Sequence, residues 1–264
     1  MSIQLQNVSF AYPDGTQAIS NVSLEIQDGE RLAIIGKNGA GKTTVVKLMN
    51  NLYQPLSGTL LVDDIDTKTK TTAQISHLVG YVFQNPDDQI FNKDVISELE
   101  YMPKYLKLDA KETKARIDEA VEFTGIKRYL KRNPYDIPYP IRKFVTIASV
   151  LVTKPKYLIL DEPTAGQDRQ GIQTLEHLMD TLQERGIGVI TITHDMEFVA
   201  NNFERVVVMA HANVIADASG REVFARDDII AEAGIRKPQL GELASALKLK
   251  GDLLYLDELV EAIK

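Results

Sequence analysis

Residues 31–43 read RLAII–GKNGAGKT, a short apolar run that leads straight into a glycine-rich segment. The segment Gly36-Lys37-Asn38-Gly39-Ala40-Gly41-Lys42-Thr43 fits the pattern G-x-x-x-x-G-K-[ST] in full. Its context is strand before and helix after: Arg31–Ile35 has the length and apolarity of a buried strand, and Thr43 to Asn51 has a helical pattern. Glycines let main-chain N–H groups curl around phosphate oxygens, and a helix N-terminus adds a favourable dipole. Lys42 is then expected on the outer phosphates, Thr43 on a Mg²⁺ ion, and Thr44 beside them.

A strand, a phosphate-binding turn and a helix are the start of an α/β domain, and the rest of the chain follows suit. Ile3 to Phe10 and Ala18 to Ile26 alternate like strands, with Asp14-Gly15 and Asp28-Gly29 as turns. Thr59–Val62 and Leu78–Phe83 read as further strands. From Asp94 to about Arg132 the pattern is helical, and a helix over Arg142–Thr153 leads to the strand Tyr157–Asp161. Helix Arg169–Arg185, strand Gly188–Thr193, helix Met196–Asn202 and a hairpin of Arg205–Met209 with Asn213–Ala216 continue the alternation. The expectation is a largely parallel core sheet with antiparallel N-terminal strands and an inserted helical subdomain over about 94–153. Residues 1–220 form the nucleotide-binding unit, and 221–264 a helical C-terminal tail.

Tyr157-Leu158-Ile159-Leu160-Asp161-Glu162 puts two carboxylates at the end of a buried strand, where open α/β sheets bind ligands. Asp161 is expected to act on Mg²⁺ through its water shell, and Glu162 to activate an attacking water. A nucleotide held by its phosphates, together with Mg²⁺, is therefore expected.

The bulk properties narrow the setting. The 264 residues carry a net charge of −7, which argues against a nucleic-acid partner. There is no cysteine, which excludes a disulfide scaffold, thiolate metal sites and thiol catalysis. No signal segment is visible, and no apolar run reaches the roughly 18 residues needed to span a bilayer. Service to a membrane would have to run through a partner.

Together these motifs resemble those of ABC ATPases over residues 1–220. Gln84 in GYVFQNPDDQIF resembles the glutamine that senses Mg²⁺ and the coupled membrane subunit. His194 in VITITHD resembles the switch histidine on the γ-phosphate. Tyr12 in VSFAYPDG resembles the aromatic that stacks on adenine, and Asp168 in PTAGQD the D-loop aspartate. The stretches FQNPDDQIF and EPTAGQD and the tail EVFARDDIIAEAGIRKPQLGELASAL are similar to those of energy-coupling-factor (ECF) importers of vitamins and metal ions. That resemblance implies a second ATPase, a transmembrane coupling subunit and a substrate-binding membrane protein. It also implies a cytoplasmic chain held peripherally on the inner face of the membrane.

One motif is missing. The family carries Leu-Ser-Gly-Gly-Gln a fixed distance before the Walker B aspartate, and VTIASVLVTKPKYLILDE fixes the register. Counting back 24 positions from Asp161 lands on Ile137, so Ile137-Pro138-Tyr139-Pro140-Ile141 stands in its place. Proline has no N–H and no hydroxyl to offer a phosphate. The expectation is one half of an asymmetric ATPase pair, weak or inactive alone and competent with a partner whose signature is intact. The alternative is a nucleotide-driven clamp that binds ATP with little hydrolysis.

Overall fold

The computed structural model describes residues 1–247, 249 and 253–264. Two sheets organise it. Strands β1 (Ser2–Ala11) and β2 (Gln17–Gln27) pair antiparallel, and β4 (Ser57–Val62) and the short β5 (Ile65–Asp66) extend them in the order β2-β1-β4-β5. The second sheet takes β3 (Arg31–Ile35), β6 (Val79–Val82), β7 (Tyr157–Asp161), β8 (Gly188–Ile192), β9 (Arg205–Ala210) and β10 (Asn213–Ser219) in the order β10-β9-β3-β8-β7-β6. Its pairings are parallel except for the β9–β10 hairpin at the edge.

The parallel strands are apolar on both faces because both faces are covered. Leu32, Ile34, Ile159 and Ile190 point to one core, shared with the antiparallel sheet and with helix α1 (Lys42–Met49). Ala33, Ile35, Leu158 and Leu160 point to the other, built with α3 (Val95–Tyr105), α4 (Ala110–Thr124), α5 (Tyr139–Leu151) and α6 (Arg169–Glu184). Helices α7 (Met196–Asn202), α8 (Gly220–Ala225) and α9 (Asp227–Ala233) close the same side.

Three local features differ from the sequence reading. Helix α2 (Thr72–Ser76) was not expected, although Thr71 and Gln74 form a capping box that announces it. The helical stretch after Asp94 is two helices, divided at residues 106–109, where Asp109 caps the start of α4; Gly125 then ends α4 in a left-handed cap. Helix α5 starts at Tyr139 rather than Arg142, since Pro140 falls in its first turn, where a missing N–H costs nothing. In the C-terminal region, α10 spans Gln239–Ala246 and α11 Leu256–Ile263. Lys248, expected to continue the former, lies outside the described residues, as do 250–252.

Candidate active site

The strand order places β3, β8 and β7 side by side, and their C-terminal ends release the functional segments together. After β3 comes the loop Gly36–Gly41. Gly36 has φ +146°, and a Cβ there would meet the Met209 carbonyl oxygen at 2.2 Å. Gly41, with φ +103°, would meet the Ala18 oxygen at 2.4 Å. Both positions need glycine, because the backbone passes too close to its neighbours for any side chain.

Tyr12, Asn38, Gly39, Gly41, Lys42, Thr43, Thr44, Gln84, Asp161, Glu162 and His194 line one cavity of about 350 Å³. Most of the expected nucleotide contacts therefore converge. Gly36, Lys37 and Ala40 do not line it: Gly36 and Ala40 are buried in the turn, and Lys37 is exposed, with its stem near Gly234.

Lys42 is buried and folded back on the loop. Its Nζ donates to the carbonyls of Gly36 at 2.7 Å and Lys37 at 3.1 Å, and lies 3.4 Å from His194 Nε2. Burial lowers its pKa, opposed by the Glu162 and Asp161 carboxylates. Asp161 sits at the end of β7, where its Oδ2 accepts a hydrogen bond from the Tyr81 hydroxyl at 2.7 Å. Burial pushes the Asp161 carboxyl up; the Tyr81 bond, Lys47, Thr43 and Lys42 hold it down.

Glu162 follows with φ +49°, an unusual conformation for a residue with a side chain. Its main-chain N–H donates to Ile192 at 2.8 Å, and its own carbonyl accepts from Lys143 Nζ at 2.6 Å. The carboxylate accepts from the His194 main-chain N–H at 3.2 Å and lies 3.5 Å from the imidazole Nε2. Burial raises the Glu162 pKa and lowers that of His194, which keeps the imidazole neutral near pH 7.

Tyr12 shares a hydrogen bond with the Thr44 hydroxyl at 2.7 Å, and its ring stands edge-on to Phe10 and Tyr53. Gln84 is exposed at the cavity wall. Asp168 caps α6 by accepting from the Gly171 N–H at 2.8 Å.

The donor set suits Mg²⁺. Thr43, Gln84 and Asp161 offer oxygen atoms, and among the described residues no group of three or more His, Cys, Asp or Glu could hold a metal alone. A Mg²⁺ ion fits such a place, since it keeps several waters and leans on one or two protein oxygens plus substrate phosphates.

The stretch Ile137–Ile141 is not an open loop. Ile137 is buried, Pro138 is the N-cap of α5, and the Ile141 N–H is bonded to the Pro138 carbonyl at 2.9 Å. The remaining main-chain donor of 138–141 is the N–H of Tyr139. The Tyr139 ring lies beside Gly166, and Gln167 Nε2 donates to the Pro140 carbonyl at 3.1 Å. Arg142 lies over the rings of Tyr135 and Tyr139 and pairs with Asp87 at 2.6 Å.

A family described as "ABC transporter" matches residues 19–165, more than half of the chain. The chain belongs to the ABC transporter family. As an ABC ATPase domain it binds ATP. It is 34% identical over 251 residues to the energy-coupling factor transporter ATP-binding protein EcfA of Methanothermobacter thermautotrophicus, covering 94% of this chain and 81% of the relative. Among solved structures it resembles cbiO1 from Clostridium perfringens, described as part of the ABC transporter complex cbiONQ. The TM-score is 0.79 at 33% identity, over 94% of this chain and 98% of that one. A dimeric ATP-binding cassette in a post-hydrolysis state, bound to ADP and Pi, matches with a TM-score of 0.74 at 25% identity, over 82% and 98%.

Two residues of this cassette escaped the motif reading. Tyr81 touches Asp161 across neighbouring strands, a contact that shows only once the register Tyr81↔Ile159 is known. Lys143 had none, because its target is a main-chain carbonyl.

Proposed function

We propose that this chain is the ATP-hydrolysing subunit of an importer of the energy-coupling-factor type, one half of an asymmetric ATPase pair that powers uptake of a vitamin or metal ion. The names of the EcfA relative and of the cbiONQ structure support the importer class. Thr43, Gln84 and, through its water shell, Asp161 would hold Mg²⁺, which would offset the charge of the phosphates; Glu162 takes a proton from the attacking water; His194 steadies the γ-phosphate; Tyr12 stacks on adenine. Among the described residues no helix is long and apolar enough to cross a membrane. The chain works at the inner face through a transmembrane coupling subunit and a substrate-binding membrane protein.

The observation that carries the asymmetry is the start of α5. Two prolines and a hydrogen-bonded Ile141 leave the Tyr139 N–H where Leu-Ser-Gly-Gly-Gln would aim a hydroxyl and several N–H groups at a partner's phosphate. Losing one such donor costs about 10²–10³ in rate. The site built on this chain's own Lys42, Asp161 and Glu162 stays competent once a second ATPase brings an intact signature. The test is ATP hydrolysis over a range of protein concentration, alone and mixed with such a partner. Turnover confined to the mixture is expected; equal turnover by the chain alone would overturn the asymmetry.

A further inference from the structure

We infer that Tyr81 is a positioning residue for the metal-binding carboxylate: it restrains the rotation of the Asp161 carboxylate at the Mg²⁺ site. The inference rests on the proposed Mg²⁺ role of Asp161 and adds a residue that the motifs of this fold do not name.

The geometry comes from the sheet. Strands β6 and β7 are parallel neighbours with Tyr81 beside Ile159, so Tyr81 and Asp161 project from the same face. The Tyr81 hydroxyl reaches past Ile159 and donates to Asp161 Oδ2 at 2.7 Å. Both residues are largely buried, at 7% and 4% exposure. Phe83 packs on the Tyr81 ring with centroids 5.0 Å apart, which holds the phenol in place. With Oδ2 bonded to Tyr81, rotation of the carboxylate is restrained, and Thr43 also acts on the same carboxylate. Partners of this kind orient the groups that hold a metal, and their removal typically costs about 10–100-fold in metal affinity.

Tyr81→Phe removes one oxygen and keeps the ring. The experiment compares binding of the non-hydrolysable nucleotide AMP-PNP to the full chain in EDTA and with Mn²⁺. In the variant, affinity for the Mn²⁺ complex is expected to fall about tenfold or more, while metal-free binding stays within about twofold. Metal-free binding also reports that the variant has folded. On an Asp161→Asn background the same substitution should add no further loss, because the oriented carboxylate is gone. Unchanged Mn²⁺-dependent binding in Tyr81→Phe overturns the inference. So does an equal loss in EDTA, or an undiminished effect on the Asp161→Asn background. If Asp161→Asn alone leaves Mn²⁺-dependent binding intact, the metal role of Asp161 falls first, and the inference with it.

Discussion

Lys143 Nζ donates to the main-chain carbonyl of Glu162 at 2.6 Å. The two residues belong to different layers: Lys143 lies in the first turns of α5, and Glu162 follows β7. A buried ammonium is costly to keep without partners. Here it holds a residue in left-handed backbone, with φ +49°, and faces the Glu162 and Asp161 carboxylates. Lys143→Met should therefore act on turnover rather than on binding. In a mixed pair with an intact-signature ATPase, kcat is expected to fall about tenfold or more, the scale of a small misplacement at a reacting group. ATP affinity in EDTA should stay within about threefold. Equal losses in both would assign Lys143 a purely structural part.

Glu162 also carries a pH dependence. Burial raises the Glu162 pKa above the ordinary glutamate value, while Lys42 and Lys143 oppose the rise. A general base works only when ionised, so the acid limb of kcat should lie above pH 4.5. Removing a nearby cation disfavours the charged carboxylate, and the limb in Lys143→Met should move further up. The linked stability has the opposite sense. A carboxyl with a raised pKa contributes stability fully below its unfolded value and loses it as pH rises through the folded one. Thermal unfolding of the nucleotide-free chain should thus show a loss just above the ordinary carboxylate range that is smaller in Glu162→Gln.

Gly36 tests the loop. A methyl group there would sit 2.2 Å from the Met209 carbonyl oxygen, on a backbone with φ +146°. The obstacle is backbone, so neither side can yield cheaply. Gly36→Ala is expected to lower stability by about 3 kcal/mol and to abolish ATP binding. Gly39→Ala provides the contrast, because nothing lies within 4 Å of its added Cβ and only its φ of +81° is strained. It should cost about 1–2 kcal/mol. Chemical denaturation and nucleotide titration of the two variants measure the difference.

How far the sequence discloses this site depends on what carries each residue. Lys42, Thr43 and Asp161 are tied to a strand end or a helix start, so local periodicity places them. His194 follows β8 for the same reason. Tyr81 and Lys143 are different: each acts through a contact far along the chain, 80 residues in one case and 19 in the other. No local spacing encodes such a contact. The break between α3 and α4 shows the same limit, since both segments are helical in pattern and only Gly125 and the Asp109 cap mark where α4 runs. The start of α5 was misplaced because Pro140 looks like a breaker, although in a first turn it is tolerated.

Arg142 and Asp87 join α5 to the segment after Gln84, at 2.6 Å, with the guanidinium over Tyr135 and Tyr139. Asp87 is 39% exposed and Arg142 16%, so solvent screens the pair in part. A double-mutant cycle of Asp87→Asn with Arg142→Gln should give a coupling of about 0.5–1 kcal/mol in stability. The sign is stabilising, and it should shrink in 0.5 M salt. A coupling near zero would mean that the aromatic rings alone hold Arg142.

Rebuilding the missing motif gives the sharpest test of asymmetry. The changes are Pro138→Ser, Tyr139→Gly, Pro140→Gly and Ile141→Gln. They restore a hydroxyl and two N–H groups at the start of α5. The bond from Gln167 to the carbonyl of residue 140 survives, because it uses the main chain. Arg142 keeps Asp87 and Tyr135 but loses the Tyr139 ring, a cost of about 1 kcal/mol. Each regained donor is worth about 10²–10³ in rate, so homodimer turnover should rise at least about 100-fold. It should climb steeply with protein concentration, since the donors act across the dimer, and Glu162→Gln in the rebuilt chain should remove it. A rebuilt chain that folds, binds ATP and still does not turn over would place the block elsewhere than Ile137–Ile141. A natural chain as active as the rebuilt one would mean that the Tyr139 N–H suffices.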